Sequence, residues 1–282
     1  MEVLKKTMTD ESGNKFKEIS GFKKEGLFMR KWGLIFKALS ITAVLLIFRL
    51  VIDFLQLDIL SVTNLITAFV GGAMFTIAII LTGTLTDYKE SERIPSDLVT
   101  SVSALYEDSD LIRGTNADIA VELKIHVQEL LLAINKNFSE NVWSIGNIKK
   151  VILTINNDIY RLADRNVAPQ FIVKLRTELT NIDRISNRIY AIKHVSFIPA
   201  AYAIAELAAA GVILILFFVK LDPYYEGLVI FAVLTSLLIA LLLLIKDMDD
   251  PFEIGKKSYA DVDLTPLFDL EKELGQREKR VE

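Results

Sequence analysis

Few residues in this chain could do chemistry, and most of those lie in or beside apolar stretches. Glu206 sits near the centre of the apolar run 198–219. A carboxylate at membrane depth is costly and faces a bundle interior or a water-filled cavity, which makes Glu206 a candidate proton or ion site. The plainer reading is a hydrogen-bonded Glu fastening its helix to Thr76, Asn64 or Tyr202. Arg49 lies in another apolar run, 33–54, four residues before Asp53. That spacing suits a local ion pair with the guanidinium snorkelling outward. Its sharper reading is a cationic collar at an outer vestibule, raising local anion concentration. Asp247, Asp249 and Asp250 follow a further apolar run, with Glu253, Asp261 and Asp263 beyond. Such carboxylates could hold Ca²⁺, a hard oxygen-seeking cation. There is no EF-hand spacing, and acidic residues after a membrane helix are commonly just solvated. Calcium is the one cofactor to consider.

Other chemistries lack their residues. There is no cysteine among the 282 residues, which removes disulfides, thiolate nucleophiles, iron–sulfur clusters and zinc–thiolate sites together. His126 and His194 are isolated in sequence. No phosphate-cradling glycine loop, GxSxG or HExxH occurs. The run Asp87-Tyr88-Lys89-Glu90-Ser91-Glu92-Arg93 reads as a solvated helix extending from the span before it, so no enzyme is expected. A net charge of −4 gives no basic excess for nucleic acid.

The elements that position these residues are helices. The chain is 52% hydrophobic with its apolar residues clustered, which places it in the membrane class. Four spans are expected: 33–54, 63–86, 198–219 and 225–245. The second, TNLITAFVGGAMFTIAIILTGTLT, carries no charge and is long enough to cross a bilayer. At 100° per residue, Asn64, Thr67, Gly71, Phe75, Ala78, Thr82 and Thr86 share an arc of about 100°. A spanning helix with one hydrophilic stripe is what a pore wall requires, and small and hydroxyl residues equally serve close packing against a neighbouring helix.

Residues 87–195 read as an all-helical block. Pro95 suits the first turn of a helix through Ser103 and Leu105. Thr115 and Asp118 have capping-box spacing ahead of Ile119, Leu123, Val127, Leu130 and Ile134. Ser139 precedes a helix with Ile145, Ile148, Ile152, Ile155, Ile159 and Leu162. Pro169 opens the next, with Leu175, Leu179, Ile182, Ile185, Ile189 and Ile192 on one side. These heptad-like seams pack as antiparallel hairpins or against other copies. In the N-terminal tail, 1–32, Phe16, Ile19, Phe22, Leu27 and Phe28 allow an amphipathic helix on the membrane surface. No cleavable signal peptide is visible. The C-terminal tail, 247–282, is charged with an apolar patch at Leu264, Leu267 and Phe268.

Basic residues set the expected orientation. Lys23, Lys24, Arg30 and Lys31 precede the first span, fourteen Lys and Arg fall within 87–195, and the short loops hold only Lys220. The positive-inside rule makes both termini and the block cytoplasmic.

Four local runs sharpen this layout: Arg30-Lys31-Trp32-Gly33 entering the first span, Asp87-Tyr88-Lys89-Glu90-Ser91-Glu92 leaving the second, Asp249-Asp250-Pro251-Phe252 after the last, and Asp263-Leu264-Thr265-Pro266-Leu267. Together with two spans, a helical block and two more spans, they resemble the bestrophin-like membrane proteins, in particular their uncharacterised prokaryotic branch. The resemblance implies a homo-oligomer, pentameric in true bestrophins, with the second span lining a central pore. It also implies a hydrophobic neck, which falls here on Gly71, Phe75 and Ile79. Gly71 departs from that family's bulky pattern, which implies a wider or shorter neck. The family's calcium clasp uses a denser acidic run after Pro-Phe than Glu253-Ile254-Gly255-Lys256-Lys257 supplies.

Three functions fit. The first is an oligomeric ion channel passing small inorganic ions, with anions favoured by Arg49 and the helix dipoles. The second is a non-conducting scaffold or sensor whose cytoplasmic helices dock a partner. The third is a proton-coupled transporter built on Glu206, against which stands the lack of an internal repeat.

Overall fold

The structure is a computed structural model and describes residues 32–112, 116–194, 199–252 and 259–279. The expected surface helix at Phe16 to Phe28, Arg30, Lys31, Thr115 and the run Glu253 to Lys257 fall outside those residues. Eight α-helices follow one another: α1 (Trp32–Phe54), α2 (Asn64–Leu111), α3 (Ala117–Ser139), α4 (Ile145–Asp164), α5 (Pro169–His194), α6 (Pro199–Phe218), α7 (Tyr224–Met248) and α8 (Thr265–Lys279). No strand occurs among the described residues beyond one isolated bridge, Leu60 with Val219. The protein is all-α, with four helical stretches long and apolar enough to cross a membrane, in α1, α2, α6 and α7.

The chain divides into two compact units. The first comprises Met1–Lys89, Ser196–Pro251 and Lys257–Ala260. Its core is a helical seam: Ala73 and Ile77 of α2, then Ala205, Ala209, Val212 and Leu216 of α6, then Phe231, Leu238 and Ile245 of α7. Steps of three, four and seven keep each set on one side of its helix. Because lipid is as apolar as leucine, this seam holds by close packing rather than by water exclusion. Gly211 shows the fit: a Cβ there would lie 3.1 Å from the ring of Phe69, so the small residue lets α6 approach α2.

The second unit comprises Glu90–Val195, Phe252–Lys256 and Asp261–Glu282. The expected seams are buried in it: Ile119, Leu123, Val127, Leu130 and Ile134 of α3, Ile148, Ile155, Ile159 and Leu162 of α4, and Leu175, Leu179, Ile182 and Ile189 of α5. They close on one another within one chain, while Ile145, Ile152 and Ile192 of the expected seams stay half-buried. Phe138, wholly buried, packs against Trp143 at 4.9 Å and Phe252 at 5.7 Å between ring centroids. The Trp143 indole donates to the Ser186 carbonyl at 3.0 Å.

Several local expectations need correction. Pro95 opens no helix but lies inside α2. A proline there removes one backbone bond at a cost of about 3 kcal/mol, and both Ile94 and Pro95 are buried. The N-cap position of α3 is Asn116, not Thr115, and Asp118 instead pairs with Arg165. Ser139 ends α3 rather than leading α4, which starts after Ser144. The C-terminal segment is more than a charged tail. It carries α8, whose Leu267, Leu270 and Leu274 are buried. Asn135 of α3 holds that helix by donating to the Leu267 carbonyl and the Glu271 carboxylate.

Three helix ends share a device the sequence hides. After α1, α3 and α4 the chain turns through left-handed residues that are not glycine: Gln56 (φ 54°), Asn141 (φ 53°) and Asn166 (φ 58°). Each end carries the paired bonds of a Schellman motif, as where Asn166 N–H reaches the Ala163 carbonyl and Val167 N–H the Leu162 carbonyl.

Candidate functional site

The stripe on α2 is the site to examine, and its helix begins with a cap. Ile66 N–H donates to the Thr63 hydroxyl at 3.3 Å, satisfying one of the free donors of the first turn. From there α2 presents two opposite faces. Ala73 and Ile77 are buried against α6 and α7, with Val70, Met74, Ile80 and Leu81 packed around them. Asn64, Thr67, Gly71, Phe75, Ala78, Ile79, Thr82 and Thr86 all lie on the exposed face. The side chains there are large as well as polar: Phe75 is 68% exposed and Ile79 57%.

The hydroxyls of that face have a fixed sense. Thr67 donates to the Thr63 carbonyl at 3.2 Å, Thr82 to Ala78 at 2.8 Å and Thr86 to Thr82 at 2.9 Å. Each proton is therefore turned back along the helix, and oxygen lone pairs face outward. Off the stripe, Thr76 and Thr84 do the same with Gly72 and Ile80. The stripe carries no formal charge.

Arg49 is not on any exposed collar. It is wholly buried. Its guanidinium donates to the carbonyls of Leu216 at 3.3 Å, of Phe217, and of Val219 at 2.7 Å, while Asp53 pairs with it at 2.7 Å. These carbonyls end α6 and lack helical partners, so Arg49 caps that helix and its positive charge meets the negative end of the dipole. The bridge beside it, Leu60 N–H to the Phe218 carbonyl (2.9 Å) and Lys220 N–H to the Leu60 carbonyl (2.7 Å), ties together the two short loops.

Glu206 is exposed on α6. It has no hydrogen-bond or ion-pair partner among the described residues, so the fastening to Thr76, Asn64 or Tyr202 is not made. Of the acidic residues considered for calcium, Asp247 accepts from the backbone N–H groups of Tyr259 and Ala260, both at 2.7 Å. It therefore caps a loop, and Asp263 caps the start of α8 through Thr265 N–H at 3.0 Å. Asp249, Asp250 and Asp261 complete the set, and no three His, Asp or Glu side chains among the described residues are grouped to hold a metal ion.

Two features were not read in the sequence. His126 is isolated in sequence only: its Nδ1 lies 2.5 Å from the Asp158 carboxylate, thirty-two residues on, with Arg161 on the other oxygen at 3.4 Å. The pair bridges α3 and α4 with no nucleophile in the group, so it fastens helices. Lys37, five residues into α1, is exposed and has no partner among the described residues. Its signal was open to view, as a cation within an apolar run.

No known sequence family and no curated protein matches the chain. Solved structures do. A bacterial bestrophin homologue from Klebsiella pneumoniae superposes with a TM-score of 0.71 at 12% identity, covering 86% of this chain and 97% of that one. A single-substitution variant of that homologue gives 0.71 at 12% identity over 87% and 99%. At this identity the likeness is one of architecture, and the chain has a bestrophin-like fold.

Proposed function

We propose that the chain is one protomer of an ion channel in which copies of α2 line a central pore. One observation carries this reading: Asn64, Thr67, Gly71, Thr82 and Thr86 all lie on the face of α2 that the chain itself leaves uncovered. Lipid is a poor neighbour for Asn64, Thr67 and Thr82, whereas water in a pore suits them. Phe75 and Ile79, one turn apart on that face, form an apolar constriction that gates by dewetting. The fold likeness supports the same assembly, with five copies as the resemblance implies, and the distribution of basic residues supports cytoplasmic termini in a plasma membrane.

The preference for anions rested on Arg49 and the helix dipoles, and Arg49 is a buried helix cap. With outward-facing threonine oxygens and no cation on the stripe, the lining favours cations. The scaffold reading rested on isoleucine seams free to dock a partner, and most of those seam residues are buried inside the chain.

The test is conductance of purified protein in planar bilayers under a KCl gradient, beside Phe75→Ala. Unitary currents that grow or lose rectification in the variant are expected, with a reversal potential on the potassium side. Silence from both, with inserted and assembled protein, overturns the channel and returns the scaffold.

A further inference from the structure

Among the described residues, two opposite charges well inside the spans face outward with nothing to meet them, Lys37 on α1 and Glu206 on α6, while Glu226 and Lys246, also without partners, lie in the end turns of α7. We propose that they meet each other across the boundary between two copies of this chain, Lys37 of one copy against Glu206 of the next. The inference rests on the oligomer that a pore requires, but not on conduction.

Depth is the first argument. Arg49 of α1 binds the carbonyls at the C-terminal end of α6, so these two helices run parallel and are pinned at one level. Lys37 is twelve residues before Arg49, about 18 Å along the helix. Glu206 is ten residues before Leu216, about 15 Å along its own. The two charges therefore lie within about 3 Å of the same depth, a gap that the flexible lysine stem spans.

The second argument is chemical. Ionisable groups at membrane depth face a bundle interior and pair with one another. Here α1 and α6 of one chain are joined at Arg49, yet Lys37 and Glu206 do not pair within the chain. Each is placed on the flank of its helix, away from the buried residues Leu34, Ala38 and Thr42 on α1 and Ala205, Ala209 and Val212 on α6. A second copy supplies the missing partner to both at once. Because the two charges lie on different helices, the contact is heterologous, and such contacts close into rings when the rotation allows. A ring is the assembly that places α2 of every copy around one axis.

The chain has no cysteine, so single thiols can be introduced cleanly. The Lys37→Cys and Glu206→Cys chains are co-expressed in full length with different tags and treated in membranes with a short bis-methanethiosulfonate linker. A linker is used because a direct disulfide needs Cα atoms about 4–7 Å apart, closer than a Lys–Glu pair. A cross-linked dimer carrying both tags is expected, at a yield well above either variant mixed with the cysteine-free parent. As a second readout, Lys37→Glu and Glu206→Lys each lower the oligomer-to-monomer ratio in mild detergent by about tenfold or more, since like charges then face each other. The double swap restores it. No mixed-tag dimer from an assembled protein overturns the proposal, as does a double swap no better than its singles. Loss of Lys37 without effect on assembly would overturn it too, leaving Lys37 to lipid headgroups. Silence in the conductance experiment alongside a mixed-tag dimer would remove the channel and leave this interface standing.

Discussion

The two units of this chain finish their surfaces differently. In the helical unit most of the predicted seam residues are buried within the chain, and several of its charges are paired as well: Arg188 with Glu90, Arg165 with Asp118, Lys174 with Asp108. In the spanning unit the core seam is closed, but the stripe of α2, Lys37 and Glu206 are left uncovered. A unit that completes itself needs no partner to fold. A unit that leaves polar and charged groups on a lipid-crossing surface fits the proposed assembly, in which other copies cover them. On the proposed reading, function lies in the spanning unit and support in the helical one.

Arg49 offers the largest break in that contrast, because it is a buried charge in the spanning unit that is satisfied within the chain. Arg49→Met leaves Asp53 without its cation and the end of α6 without its cap. Stranding one partner of a buried pair costs about 3–5 kcal/mol. The expected outcome is a large drop in the thermal midpoint of helix loss, followed by circular dichroism in detergent. A midpoint within a degree or so of the parent would show that the loop bridge at Leu60 and Val219 holds the end of α6 without Arg49.

Next comes a matched pair of phenylalanines. Phe138 is wholly buried in the helical unit and Phe75 is 68% exposed on α2. Phe138→Ala opens a cavity beside Trp143, costs about 3–5 kcal/mol and shifts the emission of that tryptophan. Phe75→Ala is expected to leave the fold of the single chain within about 0.5 kcal/mol of the parent, as surface substitutions do, and to act on conductance alone. Equal destabilisation by both would mean that Phe75 packs within the chain, and the contrast between the units would fall.

Much of this architecture was legible. Length and apolar content located four spans, matching α1, α6 and α7 to within a few residues and the start of α2 to within one, whereas α2 runs on to Leu111. The seams of α3, α4 and α5 were legible too: isoleucine and leucine at three- and four-residue steps have one way to be buried. The stripe of α2 could be read from angles alone. What escaped depends on tertiary placement or on rules with exceptions. Asn141 and Asn166 end helices where glycine is the usual signal, since the short side chain of asparagine tolerates the left-handed region, and Gln56 takes it too. The seam of α8 was hidden by the charges around Leu267, Leu270 and Leu274. Arg49 was read through its neighbour Asp53, whereas its carbonyl partners lie 167 to 170 residues away. No local pattern announces a cap of that kind.

The smallest expected effect tests whether the charge pairs of the helical unit matter at all. Arg165 clasps Asp118 through two nitrogens, at 2.9 and 2.8 Å. That hydrogen bond, chiefly, holds the Asp118 carboxyl below the usual carboxylate range, with desolvation acting against it. A carboxyl depressed in the folded state adds stability above its unfolded pKa, near 3.9, and loses it as pH falls through the lower folded value. The pair is exposed to solvent, so its contribution is small and weakened by salt. Asp118→Asn is therefore expected to lower the thermal midpoint slightly at pH 7 and not at all once both states are protonated in strong acid. A difference that persists unchanged into acid would show that Asp118 acts through its place in the first turn of α3 and that the ion pair adds nothing.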